Sequence, residues 1–223
     1  MRVKTHCRKI TVIAIVMLLV LPGTAAFADA GTEQPVSDPH AKHREMLKKS
    51  RADTSTASDI DLRDELLVNQ HGDAVRFVSD VVGDQIVVMD FVYTTCTTVC
   101  PVLSVIFQQV QTGLGDRLGT DVKLISISVD PVRDTPVRLK NYAEGLQAHA
   151  EWAWLTGDKT VVDEVLRGLG AYSPNFEDHP SIVLVGDPQR GTWKRFFGFP
   201  GPDKILAAVD EMTAARQMAS ARR

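Results

Sequence analysis

Two apolar runs joined by one helical period constrain the fold of this 223-residue chain more than any other feature. Residues 86–92 are almost continuously apolar between Gly83 and a cluster of threonines, as a strand buried on both faces requires. Val99, Leu103, Phe107, Val110 and Leu114 then recur at helical spacing until Gly113 and Gly115 interrupt them. A second buried strand is expected over residues 122–129, and two such strands joined by a helix form a right-handed βαβ unit.

The flanking segments extend this unit. Residues 66–68 and 75–78 enclose the polar turn 69–73 and predict a β-hairpin opening the domain. After the second strand, Asp130-Pro-Val-Arg-Asp-Thr-Pro136 reads as a turn that starts a helix, with Thr135 as cap and Pro136 in the first position. Leu139, Tyr142, Ala143 and Leu146 mark that helix's inner face. A short strand is expected over residues 154–156, then a helix capped by Asp158 and running through Leu169. Strands over residues 181–185 and 192–197, turned by residues 186–191, predict an antiparallel hairpin, and a last amphipathic helix follows Pro202.

Cys96 and Cys100 sit at the junction of the first buried strand and its helix. If the helix has begun by Cys96, the i, i+4 spacing puts both sulfurs on one face, where they grip one soft metal ion or close into a disulfide. The residues alone leave both chemistries open. A purely structural disulfide gains little from closing so short a loop, which favours a site role.

The N-terminus resembles an export signal. Arg2, Lys4, Arg8 and Lys9 precede the apolar run of residues 10–21, and Ala26-Phe-Ala28 supplies a small-x-small cleavage site. That run is shorter than the roughly 17 to 25 residues that cross a hydrocarbon core, so a cleaved signal is expected rather than a permanent membrane anchor. Cleavage removes Cys7 and leaves Cys96 and Cys100 as the only thiols, in an oxidising, periplasmic or otherwise exported setting. Expected organisation is a signal peptide over residues 1–28, a flexible linker or arm over 29–59, one domain over 60–219 and a tail over 220–223. Net charge is −3 with Lys and Arg dispersed, which argues against a nucleic-acid partner.

The order hairpin, strand, Cys-bearing helix, strand, helix, hairpin, helix resembles an α/β thioredoxin-like fold with an N-terminal β-hairpin and a flexible arm. In such folds a cysteine at the helix N-terminus gains thiolate character, and a cis-proline loop faces it. His179-Pro180, just before a predicted strand, would occupy that loop. Two thiolates and an imidazole make a soft three-donor set suited to copper.

Phe91-Val-Tyr-Thr-Thr-Cys-Thr-Thr-Val-Cys-Pro101, Ser126-Ile-Ser-Val-Asp-Pro-Val-Arg-Asp-Thr-Pro136 and Asp178-His179 occur in the order of the Sco/SenC family of thioredoxin-like copper chaperones, and the chain resembles that family over about residues 62–212. The resemblance implies Cys96, Cys100 and His179 as copper ligands, with a Cys96–Cys100 disulfide in the oxidised metal-free form. It implies a copper-enzyme client, cytochrome c oxidase subunit II or a related copper protein. The alternative is a thiol-disulfide oxidoreductase that reduces a client's copper-site cysteines and is itself served by a thiol reductant, with Cys96 and Cys100 as its catalytic pair. Asp130 and Asp134, in the matching second motif, are weaker candidates for supporting the ligands or the local structure, and turn and helix cap is the plainer reading. Thr97-Thr98 and Pro180 stand where many relatives carry Pro-Asp and Ser or Thr, which leaves the ligands intact.

Weaker candidates are read as ordinary structure. His40, His43 and Met46 belong to a solvated linker, His71 and His149 to the surface, and Trp152, Trp154 and Trp193 to the core.

Overall fold

The computed structural model describes residues 54–56 and 60–222. The segments expected to be a signal peptide and most of the arm, with His40 and His43, lie outside the described residues. Eight strands form one sheet: β1 (Thr54–Thr56), β2 (Leu66–Asn69), β3 (Ala74–Arg76), β4 (Ile86–Val92), β5 (Val122–Ser128), β6 (Trp152–Thr156), β7 (Ile182–Asp187) and β8 (Thr192–Phe197). Their order across the sheet is β1-β8-β7-β4-β5-β6-β2-β3. Among the described residues four α-helices accompany the sheet: α1 (Val99–Leu114), α2 (Pro136–Gly145), α3 (Lys159–Gly168) and α4 (Pro202–Ser220). This is the thioredoxin-like arrangement, opened by the expected β2–β3 hairpin.

β4 is the centre because every one of its residues is buried, so it needs a partner on each side and a layer on each face. It pairs in parallel with β5, crossing over through α1, and antiparallel with β7. Side chains alternate between faces along each strand. Ile86, Val88 and Val92 face α1, α2 and α4 together with Leu103, Phe107, Leu139, Trp152, Val209 and Met212. Val87, Met89 and Phe91 face the other way, onto α3 and Phe77, with Val162, Val165 and Leu166.

Four details differ from the sequence expectations, each for a visible reason. The strand expected through Val78 ends at Arg76, and residues 77–82 coil into a π-helical turn. The Asp64 carboxylate accepts from the Val78 and Ser79 N–H groups at 2.8 and 2.9 Å, which curls the chain and turns Phe77 inward. β6 starts at Trp152 rather than Trp154, because both indoles point to one face and stack at 4.9 Å. β7 runs on through Gly186 because the Trp193 ring lies against it; a Cβ there would meet the ring at 2.1 Å. The turn falls later, closing at Gly191 with φ +61°. Finally, Thr54–Thr56, inside the segment assigned to the arm, pairs with β8 and adds an edge strand.

The helix starts follow the sequence. Thr135 caps α2, accepting from the Arg138 N–H at 3.4 Å, with Pro136 first in the helix. Asp158 caps α3, accepting from the Thr160 N–H at 2.9 Å. At the other end of the fold, Arg216 on α4 donates to both oxygens of the buried Asp187 at 2.9 and 2.6 Å and to the Asp84 carbonyl at 2.7 Å. That planar, two-pronged grip holds the last helix on the sheet. Among the described residues no helix is long and apolar enough to cross a membrane.

Candidate metal and thiol centre

The site lies beyond the C-terminal end of β4. The chain leaves β4 through Tyr93 and Thr94, and the Cys96 N–H returns to the Tyr93 carbonyl at 3.1 Å. α1 begins only at Val99, so Cys96 precedes the helix and Cys100 lies in its first turn. The expectation that both sulfurs ride on one helical face is thereby corrected. Thr98, at the cap position, makes no side-chain capping bond. The Cys96 Sγ does this work instead, accepting from the Cys100 N–H at 3.3 Å.

This geometry makes the two free thiols unequal. Burial opposes charge on Cys96, but it is outweighed by the Cys100 and Thr98 N–H groups, the Cys100 thiol and the Tyr93 hydroxyl, which bring the Cys96 pKa down to about 7. Burial pushes the Cys100 thiol well up, and the Cys96 and Asp90 charges push it further. Burial also pushes the Tyr93 hydroxyl to about 12, so it remains a donor beside Cys96. Both thiols are enclosed, Cys100 fully, while Cys96 is 7 % exposed.

His179 is half-buried at the end of a single 3-10 turn, Phe176–Asp178. Asn175 caps that turn through the Glu177 N–H at 3.3 Å and holds Asp178 at 2.8 Å. No peptide bond among the described residues is cis, so the expected cis-proline at Pro180 is replaced by a trans bond. The imidazole stands edge-on to Tyr93 with ring centres 5.8 Å apart, and its Nδ1 lies 3.2 Å from the Pro180 carbonyl. Burial lowers its pKa, favouring the neutral ring. Among the described residues no three His, Cys, Asp or Glu side chains converge into a closed metal-holding group. The donor chemistry suits a soft cation, with two donors together and the third beside Tyr93.

Asp134 is neither turn filler nor helix cap. Fully buried, it accepts from the Thr94 N–H at 3.1 Å and the Thr94 hydroxyl at 2.5 Å through Oδ1, and from the Ser128 hydroxyl at 2.7 Å through Oδ2. It therefore ties the loop after β5 to the residue two before Cys96. Asp130, 4 % exposed, accepts from Arg133 at 2.9 Å. Both acids shape the site, and the plainer reading of this motif is too weak for Asp134.

Sequence reasoning passed over Asp90. It is a carboxylate in the middle of an apolar strand, a visible anomaly, because an unpaired buried charge is costly. Lying between Val88 and Val92, it points toward α1 and the cysteines, fully buried. Its Oδ1 accepts from Ser126 at 2.5 Å, and Ser126 accepts from the Trp152 indole at 2.9 Å. Oδ2 has no hydrogen-bond partner among the described residues. Burial raises its pKa to about 7, against the opposing Ser126 bond. Of the remaining histidines, His71 and His149 are exposed and apart from this site, and all three tryptophans are buried as expected.

With this geometry in hand, three relatives are informative. The SCO1 protein homolog of Bacillus subtilis (strain 168) is 34% identical over 127 residues, covering 53% of this chain and 64% of its own length, somewhat under two thirds. The solved structure of BsSco, described as a member of the Sco family of cytochrome c oxidase assembly proteins with a disulfide switch, is 26% identical with a TM-score of 0.59, covering 71% of this chain and 95% of that one. Bradyrhizobium japonicum ScoI, solved with copper bound, is 25% identical with a TM-score of 0.53, covering 72% of this chain and 99% of that one. The family model described as SCO1/SenC matches residues 58–214, most of the chain, and this chain belongs to the SCO1/SenC family.

Proposed function

We propose that the chain is an exported copper-binding metallochaperone that carries copper on Cys96, Cys100 and His179 and delivers it to a copper-enzyme client, cytochrome c oxidase subunit II or a related copper enzyme. The observation that carries this reading is the pairing of two thiols at one strand-helix junction with an imidazole on a separate turn against the same Tyr93. Cys96 and Cys100 meet at the start of α1, and His179 stands one aromatic ring away. Copper is cargo here, and cargo must leave. Donors on two segments, the cysteine junction and the His179 turn, suit stepwise release, and burial, which lowers the His179 pKa, favours the neutral ring that binds. The thiols must lose protons, so loading releases acid and weakens as pH falls. The copper-bound Bradyrhizobium japonicum relative supports the cargo. Export rests on the N-terminal signal pattern, with residues 1–28 removed, 29–59 as the arm, 60–219 as the working domain and 220–223 as a tail.

The test is a copper-loaded spectrum of the purified, reduced protein. Thiolate-to-copper(II) charge-transfer bands are expected, and each of Cys96→Ser and Cys100→Ser removes them. His179→Ala weakens binding by more than about tenfold against a competing chelator. Equal binding by His179→Ala and wild type would remove His179 from the ligand set.

A second reading, thiol-disulfide exchange on a client's copper-site cysteines, is favoured by the inequality of the thiols. A Cys96 thiolate near neutral pH attacks, while the enclosed Cys100 thiol is placed to resolve the mixed disulfide, and an outside thiol reductant restores the pair. A reduction potential well above about −300 mV supports this use; one below it argues against exchange.

A further inference from the structure

We propose that Arg133 is a positioning residue for His179, acting as a latch between the loop after β5 and the turn that ends in the histidine. Its guanidinium lies over the Phe176 ring, with Cζ 5.2 Å from the ring centre. The same group donates to the buried Asp130 carboxylate at 2.9 Å, which fixes its position although half its side chain faces solvent. Phe176 opens the 3-10 turn, and the His179 N–H closes on the Phe176 carbonyl at 3.3 Å. One short turn therefore links the stacked ring to the imidazole. Both rings also meet Tyr93 edge-on, at 5.1 and 5.8 Å between centres.

The loop after β5 thus holds both halves of the site. Through Asp134 it grips Thr94, on the cysteine side. Through Arg133 it grips Phe176, on the histidine side. Holding the turn in place reduces the ordering that His179 must undergo when it joins the sulfurs, and preorganisation of this kind appears as affinity. The plainer account is that Arg133 neutralises Asp130 and nothing more. The two accounts differ in whether Phe176 and His179 feel its loss.

The proposal depends on the copper reading only for its consequence, so the first measurement uses metal-free, reduced protein. Amide hydrogen exchange at His179 is compared among wild type, Arg133→Gln, Phe176→Leu and the double variant. Arg133→Gln is expected to speed exchange about two- to fivefold, the equilibrium worth of an exposed cation-aromatic contact; Phe176→Leu, which also loses the Tyr93 contact, speeds it at least as much, and the double variant no more than Phe176→Leu alone. In the second arm, Arg133→Gln weakens copper binding by the same factor with His179 present and leaves it unchanged in a His179→Ala background. Unaltered His179 exchange in Arg133→Gln, or a copper effect that persists without His179, overturns the latch. Failure of the wild type to bind copper instead overturns the chaperone reading, while the exchange arm still decides the latch.

Discussion

The two faces of the sheet are built from different materials. The face under α3 holds aliphatic and aromatic side chains, among them Phe77, Met89, Phe91, Ile125, Leu155 and Leu184. The face under α1, α2 and α4 is equally enclosed but threaded with polar groups: Asp90, Ser104, Ser126, Ser128, Thr156 and Asp187. Asp90 Oδ2, Trp154 Nε1 and Thr156 Oγ1 on this face lack hydrogen-bond partners among the described residues. A buried polar atom without a partner costs stability, so the second face sacrifices some of what the first supplies. The cysteines stand over that second face. One side of the sheet maximises packing, while the other tolerates polar groups, among which Asp90 acts on the Cys100 thiol.

The largest expected effect tests the apolar face. Phe77→Ala empties a fully buried ring and should lower unfolding free energy by about 3 to 5 kcal/mol, measured by denaturant unfolding of the reduced protein. A loss no greater than that of a surface substitution would break the comparison.

A smaller effect tests the polar face, and it depends on pH. Because the folded Asp90 pKa is raised to about 7 from 3.8, the native state binds its proton more tightly than the unfolded chain. Wild-type stability should therefore fall as pH rises between these values and level off above, as the bare carboxylate becomes a buried charge. Asp90→Asn keeps the shape and can donate to Ser126, and should exceed wild type by about 1 to 4 kcal/mol near pH 8, with the gap closing near pH 4. A parallel pair of stability profiles would show that Asp90 carries no penalty.

The smallest effect concerns Cys96 itself. Its alkylation rate should climb with a midpoint near pH 7 while Cys100 resists. In Phe77→Ala, under conditions where the protein stays folded, the midpoint should not move. A displaced midpoint would mean that the apolar face also tunes the thiol.

Much of this was legible in the residues because hydrophobic spacing records burial directly. The β4-α1-β5 unit, the caps at Thr135 and Asp158 and the closing helix after Pro202 matched their patterns closely. Strand ends were read less well where a side chain elsewhere decided them, as Asp64 does for the turn at Phe77 and Trp193 for Gly186. The cysteine pair and His179 stood out as candidates by chemical type. The roles of Asp134 and Arg133 were not legible, since each acts on a residue about forty positions away in sequence.

Residue order alone sets which chemical groups are available: two thiols at a strand-helix junction, an imidazole before a later strand, and an aspartate inside an apolar run. Tertiary structure alone decided how they differ. A thiol's proton affinity and an imidazole's distance from it depend on which N–H groups, rings and charges the fold brings within a few ångströms. Those neighbours come from segments that linear spacing does not relate. Cys96 became the more acidic thiol because the chain enters α1 only after it, leaving its sulfur to accept the Cys100 N–H.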